Sequence, residues 1–415
     1  LFYISLIIML SFECLLSFMI LQWSCLLILL IETISLGLIF KCFNKTKNNV
    51  LNQRMKLNNF EPDIYIYFSG PKGAEYQIKM WLPYFEKLEI PFAIIIREYH
   101  HFENITQLTT APVLLCISVN DVDNTVTDSL KLVFYVNNSA KNTHMVRFNH
   151  LTHIQLLHGD SDKSPSYSPV SKLYDKLFVS GQAAIDRYTQ HNVTILNDSF
   201  ELIGRPQLDC LTKKNVSQST RKTIVYAPTW HGDFGDSNYS SLYFGDEIVK
   251  SIINAGFNVI VKLHPYTYRD LKLVDMAKKI ELVINSVSGD NSYHCEYYSY
   301  NNAEINIHEL FNRSDALISD ISSVASDYLF TEKPFALVDS QEYNKNIYHK
   351  FPLSRASYIV TRNMHNISNI IDELCNTDSM MEQRIFMKEQ YIFQSGSLSQ
   401  FEQFKQSVLN LLEKK

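Results

Sequence analysis

The chain has 415 residues, 46% hydrophobic, 20% charged and 13% aromatic, which at about 100–200 residues per domain allows two or three domains. With 25 Phe and 24 Tyr beside moderate charge, and only 12 Gly and 12 Pro, it is neither a disordered chain nor a linker-dominated one. Thirty-eight basic residues against 43 acidic leave a net charge of −5, so no global basic field points to nucleic acid. The seven cysteines are scattered at 14, 25, 42, 116, 210, 295 and 375, without a CxxC pair. That spacing suits neither a disulfide framework nor a zinc site and favours a reducing compartment.

Residues 1–40 are almost entirely apolar, with Glu13 and Glu32 as the only charges. A membrane-spanning helix needs roughly 20 apolar residues, a length that 15–40 supplies, and 1–12 reads as the end of another span. A signal peptide would carry a basic leader and a small-residue cleavage site, and neither is visible. Lys41, Lys45, Lys47, Arg54 and Lys56 follow at once. The positive-inside rule keeps such a cluster cytoplasmic, so the rest of the chain is expected on the cytosolic face of the cell membrane. Sequons such as Asn104, Asn192, Asn215 and Asn366 read as chance matches in an Asn-rich chain.

Beyond residue 60 short apolar runs alternate with helical spacing. Strands are expected at 63–68, 91–97, 113–119, 131–136, 153–157, 176–180 and 201–204, with helices at 76–88 and from Gln182. The polar stretch 211–222 separates a second series. It has strands at 223–227, 258–263, 316–319 and 335–339, and helices at 246–255, from Ile307 and at 322–330. The tail 379–415 reads as helical, packing along the outside. Alternation of this kind favours parallel sheets with crossover helices. The expected division is a membrane anchor with a basic segment (1–57), two Rossmann-like domains facing a cleft (58–210 and 221–390), and a C-terminal helix (391–415).

Ligands of open parallel sheets bind at the carboxyl ends of the strands, where four polar clusters fall. His158-Gly159-Asp160-Ser161-Asp162-Lys163 follows the apolar run ending at Leu157, and a His there is either a catalytic base or a turn residue. Ala227-Pro228-Thr229-Trp230-His231-Gly232-Asp233 suits a ligand-approaching loop or an ordinary surface turn. Lys262-Leu263-His264-Pro265 sets a His at a strand rim, where a structural hydrogen-bonded role is equally open. In the stretch Ser319-Asp320-Ile321-Ser322-Ser323 and on to Asp327, a strand turns into a helix through two serines. That arrangement fits either an anion site or a plain helix cap.

Together and in this order, HG, YAPTW, KLHP and SDxSSxxxD resemble the CDP-glycerol glycerophosphotransferases, the family of teichoic acid primases and polymerases, over roughly residues 60–375. The resemblance implies an α/β GT-B fold with the nucleotide held chiefly by the C-terminal domain, and work at the cytoplasmic face of a membrane. It makes His158 and His264 the catalytic pair. It places Thr229, His231, Ser322, Ser323 and Asp327 at the donor pocket, with Asp327 one helical turn beyond Ser323 and on its face, where it would orient a His or hold the ribose. Where the family usually continues HG with Thr-Pro this chain has Asp160-Ser161, and where it often has Arg after PTW this chain has His231.

The reaction so implied is attack of an acceptor hydroxyl on the β-phosphate of CDP-glycerol or a similar CDP-polyol, with CMP leaving. His158 would take the hydroxyl proton, while His264, Ser322 and Ser323 meet the leaving phosphate. The acceptor would be lipid-linked or polymeric, in teichoic-acid-like or capsule polymer synthesis. No cofactor is required, although Mg²⁺ can accompany a diphosphate. The competing readings are a GT-B glycosyltransferase using a nucleotide-sugar and a non-catalytic membrane scaffold.

Overall fold

The computed structural model describes residues 2–57, 60–211, 221–232, 238–287, 293–299 and 305–414. Most of the polar separator 211–222, Asp233 and the sequon at Asn215 lie outside that set, as do the side chains of Lys45, Lys47, Arg54 and Lys56. Two compact units divide the chain, Leu1–Phe60 and Glu61–Lys415.

The first unit is one helix, Phe2–Leu57. Within it Ile7–Lys41, with a mean hydropathy of 2.4, is long and apolar enough to cross a membrane. Some of its hydroxyls bond inside the helix: Ser11 and Ser24 each donate to the carbonyl four residues back, at 2.7 Å. No turn separates 1–12 from 15–40, so the expected second span is not found among the described residues. That stretch holds no Pro, and its single Gly37 comes far later, so nothing breaks the helix there.

The second unit holds two wholly parallel sheets. Strands Ile64–Phe68 (β1), Phe92–Ile96 (β2), Val113–Leu115 (β3), Leu132–Tyr135 (β4), Thr152–Gln155 (β5), Lys176–Val179 (β6) and Phe200–Leu202 (β7) form the first, in the order β3-β2-β1-β4-β5-β6-β7. Thr223–Ala227 (β8), Asn258–Lys262 (β9), Cys295–Tyr298 (β10), Ala316–Ser319 (β11), Phe335–Asp339 (β12) and Tyr358–Thr361 (β13) form the second, in the order β10-β9-β8-β11-β12-β13. Every residue of β1, β2, β8 and β12 is buried. This is the signature of strands covered on both faces, and it is why they read as unbroken apolar runs.

Three expectations change. The helix expected at 76–88 is two short ones, Tyr76–Lys79 and Leu82–Lys87, because Pro83 cannot sit inside a continuous helix. The strand expected at 113–119 stops at Leu115, since Ser118 and Asp121 form a capping box that starts a helix at Val119. The tail does not stay outside. Helix Gln400–Glu413 returns to the first sheet, where Phe404 and Val408 are fully buried in its core. The Phe404 ring packs 5.6 Å from Trp81 and 5.7 Å from Phe85.

Candidate active site

The switch in strand order falls between β1 and β4 in the first sheet and between β8 and β11 in the second, the places where open α/β sheets hold ligands. His158 follows β5. Its approach is strained: Leu157 takes φ +54°, a left-handed conformation costing a bulky residue about 1–3 kcal/mol. The Trp81 indole N–H clamps the Leu157 carbonyl at 2.7 Å and so offsets part of that cost. The turn brings His158 beside Tyr76 and Gly159 against the helix that follows β11. A Cβ on Gly159 would lie 2.6 Å from Ser323 Oγ, so only glycine lets the HG loop touch the serine helix.

His264 follows β9, and Tyr76 stands between the two histidines. Its ring is edge-on to both, at 5.6 Å from His158 and 5.7 Å from His264. Trp230 stacks on His264 at 6.2 Å. Burial depresses both imidazoles, His158 to about 4 and His264, with help from the charge of Lys163, to about 3. Both are therefore neutral at physiological pH.

Their hydrogen bonds assign opposite tautomers. His158 Nδ1 lies 3.1 Å from the Val136 carbonyl oxygen, which can only accept, so the proton sits on Nδ1 and Nε2 keeps a lone pair. His264 Nδ1 accepts from the Tyr266 N–H at 3.1 Å, so its proton sits on Nε2. One ring offers an acceptor and the other a donor.

A match to the family model described as CDP-Glycerol:Poly(glycerophosphate) glycerophosphotransferase covers residues 125–400. The chain belongs to that family. It is 25% identical over 186 residues to a teichoic acid glycerol-phosphate primase of Bacillus spizizenii, covering 41% of this chain and 42% of the primase. A teichoic acid poly(glycerol phosphate) polymerase of the same organism is 22% identical over 280 residues, covering 57% of this chain and 66% of the polymerase. The chain thus spans less than two thirds of either curated relative. A structure of the wall teichoic acid polymerase TagF, a variant soaked with CDPG, superposes with a TM-score of 0.54 at 16% identity, covering 91% of this chain and 97% of that one. This likeness establishes a GT-B-like fold.

The glycerophosphotransferase motifs then sort by geometry. Ser322 caps the helix Ser323–Tyr328 without a side-chain capping bond, its hydroxyl 3.4 Å from that of Ser319. Thr229 is buried, donates its N–H to Asp320 at 2.6 Å and accepts from Lys163 at 3.2 Å. His231 sits at the rim, its Nε2 2.9 Å from Asp270, beside an open cavity of about 480 Å³ lined by Trp230, Tyr266, Arg269 and Lys272.

Asp327 is held within the fold. Its oxygens accept from Arg205 Nε and Nη2 at 2.9 and 2.8 Å, and His308 Nε2 lies 3.3 Å away. Of the two roles expected for it, orienting a His is the one these contacts resemble. Asp160 and Asp162 are likewise structural. Both pair with buried Arg187, and Asp162 also accepts from Tyr391 at 2.7 Å. Sequence reading gave no role to Lys163 and Asp320, although both stand inside the polar clusters it singled out, and it had no signal for Tyr76. Among the described residues no group of three or more His, Cys, Asp or Glu is arranged to hold a metal ion.

Proposed function

We propose that the protein transfers glycerol phosphate, or a related polyol phosphate, from a CDP-activated donor to a hydroxyl of a membrane-associated acceptor. The observation that carries this reading is the pair of neutral histidines with opposite tautomers beside Tyr76, in a member of this family. The CDPG soaked into TagF supports the choice of donor. The acceptor oxygen attacks the β-phosphorus and its proton passes to His158 Nε2. The bond from that phosphorus to the bridging oxygen breaks, and CMP leaves with the oxygen and both bonding electrons. His264 Nε2–H and the Ser322 and Ser323 hydroxyls meet the growing charge on the departing phosphate. Thr229 lies in the same donor pocket, with His231 at its rim, and Asp327 is given no donor contact.

The test is to incubate membranes carrying the protein with CDP-glycerol, CDP-ribitol and nucleotide-sugars and to measure the nucleotide released. CMP from a CDP-polyol is the expected product, and the Ser322→Ala/Ser323→Ala double variant should raise the donor KM. Release of UDP or GDP from a nucleotide-sugar, with none of CMP, would replace the reading by a glycosyltransferase.

We also infer that the second unit faces the cytosol, from the basic residues that follow the apolar helix. A reporter fused after Lys415 should be active only if it is of the cytosolic type. Activity of an export-dependent reporter there would reverse the orientation.

A further inference from the structure

Among the described residues each fully buried Arg or Lys meets a carboxylate or backbone carbonyls. Arg187 meets Asp160 and Asp162, Arg205 meets Asp327, and Arg384 meets Asp378. Lys333 donates to two backbone carbonyls at 2.6 and 2.9 Å, and Arg97 likewise reaches the Cys116 and Ile117 carbonyls. This is the rule for charge withdrawn from water.

Lys163 differs from them: it is half-buried, and no acidic side chain among the described residues meets it. It extends from the HG loop of the first sheet into the second half of the molecule, where its ammonium donates to the neutral hydroxyl of Thr229 at 3.2 Å. The same group lies 5.2 Å from the centre of the Tyr239 ring. Among the described residues no carboxylate comes within 4.0 Å of it. Asp320, the acid whose field reaches it, is already bound by the N–H groups of Thr229 and Ser241, at 2.6 and 3.1 Å. An ammonium has three donors, and here one hydroxyl answers them.

The loop that carries this charge is anchored. Asp160 and Asp162 anchor the loop on Arg187, Gly159 rests on Ser323, and the charge of Lys163 is felt by His264. The ammonium therefore stands beside Thr229 and Tyr239, within electrostatic reach of His264, on a loop of the opposite half of the molecule.

We propose that Lys163 is a substrate-binding residue whose missing counter-ion is the diphosphate of a nucleoside diphosphate-activated donor, so that the donor site is completed only by a side chain from the first sheet. This rests on the donor reading above and adds a residue to it. Burial lowers the Lys163 ammonium below its ordinary value, a cost that an arriving dianion reverses. In such a complex the diphosphate would lie between Lys163 of one half and Ser322 and Ser323 of the other.

Isothermal titration of the full-length protein in detergent tests this, with CDP, UDP and cytidine as probes and Lys163→Met and Lys163→Arg as variants. Methionine keeps the stem over Tyr239 and removes the charge. It should weaken the diphosphate that the wild type prefers by roughly 10–100-fold, the usual worth of a charged hydrogen bond, and leave cytidine unchanged. Arginine should recover part of the loss. Equal weakening of CDP and cytidine, or none of either with an unchanged melting temperature, would overturn the assignment of Lys163 alone. Wild-type preference for UDP would defeat the CDP reading while leaving Lys163 to be judged on UDP, and wild-type binding of neither diphosphate would defeat both.

Discussion

Replacing His158 by Ala is expected to lower turnover by roughly 10²–10⁴-fold, the contribution of a positioned general base, with donor affinity nearly unchanged. The asymmetry follows from the tautomers. His158 exposes a lone pair to the acceptor hydroxyl because Val136 fixes its proton on the far nitrogen. His264 presents an N–H because Tyr266 occupies the other side. His264→Ala should therefore depress turnover and also weaken donor binding, since that hydrogen bond exists partly in the ground state. Acidity adds a second reading of the same pair. A base works when deprotonated, so a ring held down to about 4 places the acid limb of kcat/KM below the usual histidine range. Donor phosphates beside the ring favour its protonated form and raise that value, so the acid limb of kcat should lie at higher pH than that of kcat/KM. Single-turnover rates, donor dissociation constants and pH profiles for both variants decide this. A His158→Ala protein that keeps its single-turnover rate but loses donor binding would reverse the two roles.

What the sequence disclosed and what it hid divide along a physical line. The strands β8, β11 and β12 were legible to the residue because a strand buried on both faces must be apolar throughout and must end where polarity begins. The same boundary exposed His158 and His264, since a polar residue just past such a run sits on the rim. Edge strands β10 and β13 carry partly exposed residues and gave no comparable run. Pairings across long separations left no trace at all. Thr229 lies 66 positions from Lys163 and Arg205 lies 122 from Asp327, and periodicity says nothing about which distant side chain will arrive. Helical spacing put Asp327 one turn beyond Ser323 but could not show that Ser323 lies against Gly159 while Asp327 pairs with Arg205. Phe404 was hidden for a different reason. An amphipathic helix announces that one face is buried but not which sheet buries it.

Asp327→Ala is expected to destabilise the second unit by about 3–5 kcal/mol, because it leaves the buried Arg205 guanidinium without its counter-ion. Both bonds of the pair are formed and both side chains are shielded, at 5% and 8% exposure, so water can screen little of the loss. Burial alone would raise the Asp327 carboxyl, but Arg205 and His308 outweigh it and hold it below its ordinary value. With the folded-state value depressed, the pair's contribution is complete at neutral pH and is lost only as the pH falls below the ordinary carboxylate range, near 3.9, toward the folded-state value. Breaking one partner is costly, whereas replacing both by apolar residues is often neutral. Arg205→Met combined with Asp327→Leu should therefore melt closer to the wild type than Asp327→Ala does. Urea denaturation of the full-length protein at pH 7, followed by CDP titration of each folded variant, measures both properties. An Asp327→Ala protein that unfolds like the wild type yet no longer binds CDP would make Asp327 a donor ligand, as its place on the serine helix first suggests.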